Sequence, residues 1–296
     1  MFQWSRRVIM SEFRIDQIKS QDASRGPDVA GITTFTGTSG IVMPSGDTAH
    51  RFVDPNLVTD GLILQYDFSN YNSYPGSGDT VYDTVGGRNG TIYNDPTYST
   101  DKGGYLELTQ GDDYIEVPNG GQTIRWDQPH SIEFWVYPLG TGDSNQDLFE
   151  ADYSNNIRIQ FDKSDYGSQG RVEVWLESDD LSGDGNRAYN RWFVQKEWHH
   201  LVVTRTDTLG TVWVDGKLDD GTARPNVNST QDSETNSTKP LVPADNETGS
   251  VYIGRFISAA GTENFDGYIA LFSLYQKALS KDEVLQNYNA WRGRYQ

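Results

Sequence analysis

The chain has 296 residues, which suits one large domain or one domain with an appendage. Hydrophobic residues make up 35% and charged residues 22%, so a packed core can form, while a formal net charge of -18 excludes a general nucleic-acid binder because the phosphate backbone would be repelled. The chain has no cysteine and no run of about eighteen apolar residues, which excludes disulfides, cysteine-ligated zinc, a cysteine nucleophile and a membrane-spanning helix.

The first sixty residues differ in composition from the remainder. They carry six lysine and arginine residues against seven aspartate and glutamate residues, so nearly all of the net negative charge lies in residues 61–296. Residues 26–44 are rich in glycine, threonine and serine without a periodic apolar face, so alone they bury too little surface to offset their ordering entropy. We therefore predict that residues 1–60 form an extended arm that docks onto a partner. Met10 is an alternative start to Met1.

From residue 61 onward, apolar and polar residues alternate with a period of two, which is typical of half-buried strands. The predicted strands are Gly61–Phe68, Tyr105–Leu108, Tyr114–Val117, Ser131–Tyr137, Asn156–Phe161, Arg171–Glu177, His200–Thr204, Thr211–Asp215, Val251–Gly254 and Gly267–Tyr275. Ten strands without helical interludes predict an all-β fold, a two-sheet antiparallel sandwich that spans residues 61–296.

One helix is predicted, at the C-terminus. Ser280 and Glu283 have the spacing of a capping box, and the apolar residues Val284, Tyr288 and Trp291 that follow fall on one helical face. Residues 222–249 are rich in asparagine, serine, threonine and proline without any periodicity, which predicts a long exposed loop.

Short motifs along residues 61–296 carry a family resemblance. They are Asp83-x-x-Gly86-x-x-Asn89-Gly90, Gly111-Asp-Asp-Tyr-Ile-Glu-Val117, Ile132-Glu-Phe-Trp-Val-Tyr-Pro138, Trp198-His-His-Leu-Val-Val-Thr-Arg205, Val212-Trp-Val-Asp-Gly-Lys217, Phe265-Asp-Gly-Tyr-Ile-Ala270 and Ala278-Leu-Ser-x-x-Glu-Val284. In this order they resemble the laminin-G-like, concanavalin A-like lectin/glucanase superfamily. The resemblance implies a jelly-roll sandwich for residues 61–296, with an extended N-terminal arm before it and a short C-terminal helix at its end.

A second resemblance lies in the arm. Residues 10–18 and 26–40 are similar to the N-termini of structural proteins from tailed phages of marine cyanobacteria. This similarity implies a virion component on the outer surface of the particle, as a decoration, a fibre or a tail or neck appendage. Residues 10–60 would then dock onto other virion proteins, and the chain would form a homo-oligomer.

The two resemblances together lead to three functional expectations. The first is a virion structural protein without enzymatic activity that displays a lectin-like domain. The second is an adhesin whose main function is to bind carbohydrate on the host surface, and the third is a glucanase. Because one fold hosts lectins and glucanases alike, the residues of the site have to decide among them.

A strand motif bears on the glucanase expectation. Glucanases of the superfamily carry Glu-x-Asp-x-Glu on one strand, and here Glu173 and Glu177 match the outer glutamates while Trp175 stands at the middle position. A retaining pair of carboxyl groups needs its pKa values pushed apart, and the middle acid contributes to that tuning. The sequence therefore predicts no catalytic residues and no enzyme.

Two further patterns suggest metal sites. His199 and His200 are neighbours on a predicted strand, so their side chains point to opposite faces and do not hold one ion together. Asp180, Ser182 and Asp184 have the spacing that opens a calcium loop, but Arg191 stands where an EF-hand requires glutamate. A looser calcium site at Asp180, Ser182 and Asp184 and a simple acidic hairpin are both open, and no other cofactor is predicted.

Alternation on three strands predicts a functional face. Aliphatic residues form one side of each strand, and the other side carries aromatic residues flanked by acids: Trp135 and Tyr137, Glu173 and Trp175, and Trp213. Aromatic rings stack on the CH faces of sugars while carboxylates accept hydroxyl protons, so these residues are candidates for glycan binding. The alternative is that the rings are covered by the arm, by the C-terminal helix or by a neighbouring subunit.

Overall fold

The computed structural model describes residues 57–108, 112–118, 125–126, 128–140, 145–151, 157–162, 169–175, 187–207, 209–218, 234–236, 249–256 and 263–295. The arm as far as residue 56 and the predicted calcium residues Asp180, Ser182 and Asp184 lie outside these ranges. The predictions for them therefore stay predictions.

The described chain consists of strands followed by one helix. In chain order these are β1 (Leu62–Asp67), β2 (Thr80–Val81), β3 (Gly90–Tyr93), β4 (Thr97–Ser99), a 3-10 turn (Asp101–Gly103), β5 (Tyr105–Leu108), β6 (Tyr114–Val117), β7 (His130–Pro138), β8 (Asn145–Ala151), β9 (Ile157–Asp162), β10 (Gln169–Trp175), β11 (Arg187–Val194), β12 (His199–Arg205), β13 (Leu209–Val214), β14 (Lys217–Leu218), β15 (Glu234–Asn236), β16 (Val251–Ile253), β17 (Gly267–Tyr275) and α1 (Lys281–Tyr295).

The strands form two antiparallel sheets. The first sheet has the order β14-β13-β12-β7-β17-β5-β4, with β1 also paired to β17 and β15 to β13. The second sheet has the order β11-β10-β9-β8-β16-β6-β3-β2. The prediction of an all-β, two-sheet antiparallel sandwich with a C-terminal helix is confirmed.

The core lies between the two sheets. Phe134 and Phe272 from the first sheet meet Phe149 from the second, with ring centroids 4.8–6.3 Å apart. The aliphatic side predicted from the alternation is buried, since Ile132 and Val136 have no exposed surface. Aromatic packing of this density supplies much of the hydrophobic stabilisation of the domain.

The periodicity missed two long strands, β8 and β11. The sequence of β8, Asn-Gln-Asp-Leu-Phe-Glu-Ala, places polar residues at successive positions, and the register with β9 shifts between Asp147 and Phe149. A bulge adds one residue to a strand and therefore breaks the period of two. The other strands outside the prediction, β2, β3, β4, β14 and β15, are two to four residues long.

The opening motif of the family resemblance has a structural role. The Asp83 carboxylate accepts four backbone N–H groups, which belong to Gln65, Val85, Gly86 and Arg88. At Gly86, a Cβ atom would lie 2.6 Å from the carbonyl oxygen of Ile63. Aspartate and glycine are therefore required here to hold the loop after β2 against β1.

Helix α1 begins where the capping box predicts. The Ser280 N–H donates to Glu283 Oε2 at 2.9 Å, and the Glu283 N–H donates to Ser280 Oγ at 3.4 Å. Val284, Tyr288 and Trp291 are all buried against the outer face of the first sheet. The prediction of a C-terminal helix with this apolar face is confirmed.

The domain takes in residues just before the predicted boundary at residue 60. Leu57 and Val58 are each 6% exposed. The Val58 N–H donates to Asn287 Oδ1 at 2.9 Å, and the Tyr275 hydroxyl lies 3.2 Å from the Val58 carbonyl oxygen. The chain therefore joins the sandwich by Leu57, between the first sheet and α1.

His130, at the start of β7, is a buried titratable group. Its Nδ1 lies 2.8 Å from the Gln128 carbonyl oxygen, and its ring stands edge-on to Trp126 at a centroid distance of 5.0 Å. Burial lowers the pKa of His130 from 6.5 to about 4, because the imidazolium would lose its hydration, and Arg205 adds to the effect.

We predict that His130 contributes to the acid lability of the domain. Because its folded-state pKa lies below the unfolded value, its contribution to stability is present above about pH 6.5 and is lost as the pH falls towards about 4. The full shift corresponds to on the order of 3 kcal/mol of unfolding free energy. His130→Asn keeps a donor near Gln128 but does not titrate. In urea unfolding followed by circular dichroism, this variant should lose less stability than wild type between neutral and acidic pH, and an identical loss would contradict the prediction.

Candidate functional site

The three predicted tryptophans lie on strands of different sheets. Trp135 on β7 and Trp213 on β13 belong to the first sheet, whereas Trp175 on β10 belongs to the second. The predicted three-strand aromatic face therefore does not form. Alternation assigns side chains to two sides of each strand correctly, but it does not say which strands share a sheet.

The two tryptophans of the first sheet are covered by the C-terminal helix. Trp135 has no exposed surface and packs against Tyr295 and Tyr288 of α1, with centroid distances of 4.5 and 6.0 Å. Trp213 is 7% exposed, and its Nε1 donates to Thr211 Oγ1 at 2.9 Å. These two rings are therefore packing residues beneath α1, which is one of the alternatives to an exposed glycan-binding face.

A buried polar network lies beneath the same helix. The Glu133 carboxyl group lies 2.7 Å from His200 Nε2 and 3.2 Å from the Tyr275 hydroxyl. Asn287 of α1 donates to the Tyr275 hydroxyl at 2.9 Å. His199 lies on the opposite side of β12 and pairs instead with Asp215 at 3.0 Å. Each histidine therefore has its own carboxyl partner, and the network ties α1 to the first sheet.

The outer face of the second sheet has a different composition. Cross-strand register places seven residues opposite one another in one row across seven strands, which we name the polar–aromatic row: Thr91, Glu116, Tyr252, Glu150, Arg158, Trp175 and Arg187. A neighbouring row on the same face contains Asp147, Gln160, Glu173 and Tyr189. Two of the predicted glycan-binding residues, Glu173 and Trp175, therefore take register positions on this face.

Arg158 is the centre of this face. Its guanidinium binds the Asp147 carboxylate through two nitrogens, contacts Glu263, and lies 4.0 Å from the ring centroid of Phe256. Burial raises the pKa of Asp147 to about 7, against the opposing effect of Arg158. Burial also works against the charge of Arg158, but the hydrogen bonds and charges of Asp147 and Glu263 raise its pKa. The arginine therefore stays charged and fixed in place.

A buried amide, whose donor has no partner among the described residues, lies beside Arg158. Gln160 is 2% exposed, and its Nε2 donates no hydrogen bond to any residue in the described part of the chain. Further along the row, Glu116 accepts from the Tyr93 hydroxyl at 3.0 Å and from Ser250 Oγ at 2.6 Å. Asp147, Glu150 and Gln160 are at most 3% exposed, whereas Glu116, Arg158 and Tyr252 are partly exposed. An exposed carboxylate, a fixed guanidinium and an aromatic ring suit a ligand with hydroxyl groups.

Tyr137, the remaining predicted glycan-binding residue, lies on the outer face of the first sheet. It is half-buried and stacks on Tyr268 with ring centroids 5.0 Å apart. Trp198 and Tyr105 contact the same pair. The sequence prediction missed this grouping because Tyr105, Trp198 and Tyr268 come from segments far apart in the chain, and only the strand order brings them to Tyr137.

No three histidine, aspartate or glutamate side chains among the described residues lie close enough together to hold a metal ion. The helix within the described ranges is not long and apolar enough to cross a membrane.

We predict that Trp135 is a packing residue of the helix–sheet contact. Trp135→Ala removes a fully buried ring beneath α1 and should cost about 3–5 kcal/mol. For a domain of this size, the thermal midpoint should fall by roughly 5–15 °C. Tyr71, which is 72% exposed, provides the control, and Tyr71→Ala should change the unfolding free energy by less than about 0.5 kcal/mol. Equal midpoints for the two variants would show that the ring is not part of the packing.

Comparison with solved structures supports the fold. The chain is similar to a Trypanosoma rangeli sialidase mutant with trans-sialidase activity (TM-score 0.53, 14% identity), covering 80% of this chain and 34% of the sialidase. It is also similar to domain 4 of the arabinanase AbnA from Geobacillus stearothermophilus in complex with arabinotriose (TM-score 0.53, 18% identity). This match covers 77% of this chain and 99% of the arabinanase domain. A third match is the binding domain of botulinum neurotoxin DC in complex with rat synaptotagmin II (TM-score 0.56, 13% identity). This match covers 78% of this chain and 52% of the neurotoxin chain. The chain thus spans about a third of the sialidase, and no curated protein sequence matches it.

A family model described as the concanavalin A-like lectin/glucanases superfamily matches residues 109–285. This superfamily includes glucanases, and glycosidases contribute domains to the similar structures, so the prediction that the chain is not an enzyme is contradicted. That prediction rested on Trp175 at the middle position of a single strand motif, and one such residue does not decide whether the domain is catalytic. Since the match covers more than half of the sequence and the two-sheet fold agrees with it, the chain belongs to the concanavalin A-like lectin/glucanases superfamily.

Proposed function

We propose that the domain binds carbohydrate through the outer face of the second sheet. The observation that carries the proposal is the polar–aromatic row, in which charged and aromatic residues lie side by side across seven strands. The complex of the similar arabinanase domain with arabinotriose supports this ligand class. The neurotoxin binding domain, in complex with synaptotagmin, represents a protein receptor as the other type of ligand on this fold.

The chemistry of the row matches a sugar. Glu116, which is partly exposed, provides a carboxylate acceptor for hydroxyl protons, and the partly exposed ring of Tyr252 opposite it provides an apolar surface for sugar CH groups. Glu150 and Gln160 are at most 3% exposed, so they support the face rather than meet the ligand. Because the chain has a formal net charge of -18, a neutral sugar meets less electrostatic repulsion than an anionic one.

The clamped state of Arg158 adds rigidity. Its contacts with Asp147, Glu263 and the Phe256 ring hold the guanidinium on three sides. A side chain that is already fixed loses little conformational entropy when a ligand binds. The face around Arg158 is therefore preorganised, which favours the modest but specific affinity of a lectin.

We also propose that the domain is displayed on the outer surface of a tailed-phage virion. The support is the similarity of residues 10–18 and 26–40 to phage structural proteins, together with the change in composition near residue 60. In this proposal, the part of residues 10–60 that precedes Leu57 docks onto other virion proteins, and several copies of the chain assemble. The carbohydrate is then a glycan of the host surface, and the domain serves in attachment.

The first prediction of this proposal concerns Tyr252, at the centre of the row. Tyr252→Ala removes the ring and should weaken oligosaccharide binding about tenfold, which corresponds to ~1.4 kcal/mol. Tyr252→Phe keeps the ring and should retain most of the affinity, since the hydroxyl lies 3.5 Å from Glu116 Oε1, which is the limit of a hydrogen bond. Isothermal titration with arabinotriose and with tetrasaccharides of glucose, mannose and galactose provides the measurement. Tyr71→Ala is the control, and equal affinities for wild type and Tyr252→Ala would contradict the proposed face.

The second prediction concerns the arm. A chain without residues 1–50 keeps Leu57 and Val58, which pack in the domain, and should therefore melt like wild type. It should fail to join particles, because the proposed docking segment is missing. Quantitative blotting of purified virions measures incorporation, with full-length Tyr252→Ala as the control that should incorporate normally. Wild-type incorporation of the shortened chain would rule out docking through the arm.

A further inference from the structure

A second aromatic surface lies on the opposite side of the sandwich, on the outer face of the first sheet. Its members are Tyr105, Tyr137, Trp198 and Tyr268, which we name the tyrosine–tryptophan patch. All four side chains are half-buried. The patch begins where α1 ends, since Trp198 contacts the last described residue of that helix, Tyr295, at a centroid distance of 5.0 Å. Helix α1 therefore covers the rest of this face and leaves the patch uncovered among the described residues.

Three neighbouring strands and the start of a fourth build the patch. Tyr268 on β17 lies opposite Tyr137 on β7 and opposite Glu107 on β5. Trp198 comes directly before β12, the next strand beyond β7. A carboxylate thus stands at one end of a row of aromatic residues, on rigid strands rather than on loops.

The rings support one another. Tyr268 stacks on Tyr105 and on Tyr137, with centroid distances of 4.9 and 5.0 Å and interplanar angles of 24° and 12°. Trp198 packs against Tyr105 and Tyr137 at 5.4 and 5.5 Å with its plane tilted. Rings held in this way lose little freedom when a ligand covers them, so the patch is preorganised.

The patch also carries polar groups. They are the hydroxyls of Tyr105, Tyr137 and Tyr268 and the indole N–H of Trp198, on residues that are only partly buried. Burial, with Glu107 and the neighbouring tyrosines, raises the pKa of Tyr268, so its hydroxyl keeps its proton as a donor. Four potential donors beside one carboxylate acceptor match the alternating hydroxyls of a sugar.

The size of the patch limits its occupant. A tyrosine or tryptophan side chain offers roughly 150–250 Å² in all, so four rings that are mostly buried expose at most about 350 Å² together. A stable dimer buries about 800 Å² on each partner. The patch is therefore too small for a stable contact between two copies but large enough for one or two sugar rings. The acidic character of the chain disfavours an anionic ligand.

We propose that the tyrosine–tryptophan patch is a second carbohydrate-binding site, specific for a neutral sugar, on the face opposite the polar–aromatic row. The inference takes its ligand class from the proposed function and adds a separate site. Two sites on opposite faces do not hold the same short oligosaccharide, so each binds its own glycan strand. Binding to a glycan-coated surface then gains avidity without any new contact.

The experiment uses the full-length chain and the four soluble probes named above: arabinotriose and the tetrasaccharides of glucose, mannose and galactose. Trp198→Leu removes the tilted ring, and Tyr268→Phe removes only the central hydroxyl. Tyr71→Leu is the matched control, because Tyr71 is exposed and belongs to neither face. Titration calorimetry measures affinity for each probe, and thermal melting checks that each variant folds.

We expect the best-binding probe to lose at least tenfold in affinity for the patch in Trp198→Leu and about threefold in Tyr268→Phe, with no change in Tyr71→Leu. Should Trp198→Leu not fold, Tyr268→Phe alone decides, and an unchanged affinity overturns the proposal. If only Tyr252→Ala weakens binding, the second site is overturned while the proposed function stands. If only the patch variants weaken binding, the polar–aromatic row is overturned and the patch stands. If neither Tyr252→Ala nor the patch variants weaken binding, both the polar–aromatic row and the tyrosine–tryptophan patch are overturned as carbohydrate sites.

Two other occupants are tested in the same samples. An arginine-flanked proline-rich dodecapeptide that binds wild type but not Trp198→Leu, in the absence of oligosaccharide binding, would make the patch a peptide site and overturn the proposal. If sedimentation velocity shows a dimer of the wild type that Trp198→Leu dissociates, the patch is a subunit contact and the proposal is overturned.

Discussion

The attachment of α1 to the first sheet is the contact on which the arrangement of the domain depends. A sandwich has two outer faces, and the outer face of this sheet carries Trp135, which has no exposed surface, together with the buried Glu133. A buried carboxyl group without partners is costly, and here His200 and Tyr275 supply them, while Asn287 of the helix binds Tyr275 in turn. Because these hydrogen bonds fit only one placement of the helix, they fix its position as well as stabilise it.

This cover makes the two faces of the sandwich unlike each other. The helix and residues 57–58 occupy most of the outer face of the first sheet and use the rings of Trp135 and Trp213 for packing. Among the described residues, no helix lies on the second sheet, and its outer face holds the polar–aromatic row instead. The rings of Trp135 and Trp213 therefore serve stability on the first sheet, whereas the ring of Tyr252 on the second sheet is partly exposed.

The surfaces we propose for ligand binding share one physical property, which is rigidity before the ligand arrives. Arg158 is held by two carboxylates and an aromatic ring, and Tyr268 is held between Tyr105 and Tyr137. Sugars offer little hydrophobic area, so a site for them gains most by avoiding the entropy cost of ordering its own side chains. Fixed guanidinium and stacked tyrosines meet that requirement by different means.

The sequence by itself determined the local features. Period-two alternation predicted ten of the seventeen described strands, including β5, β6 and β17 to the residue, and the Ser280–Glu283 capping box predicted the start of α1. It also identified the superfamily, because the motifs that hold turns, such as Asp83 with Gly86, are short-range. Only the tertiary structure decided which strands share a sheet, and with that whether Trp135 and Trp175 lie together or apart. It also decided that β8 carries Asp147 to Arg158, and that Tyr105, Tyr137, Trp198 and Tyr268 meet. The physical reason is that alternation records burial on one strand, whereas strand order depends on long-range pairing energies spread over the whole chain.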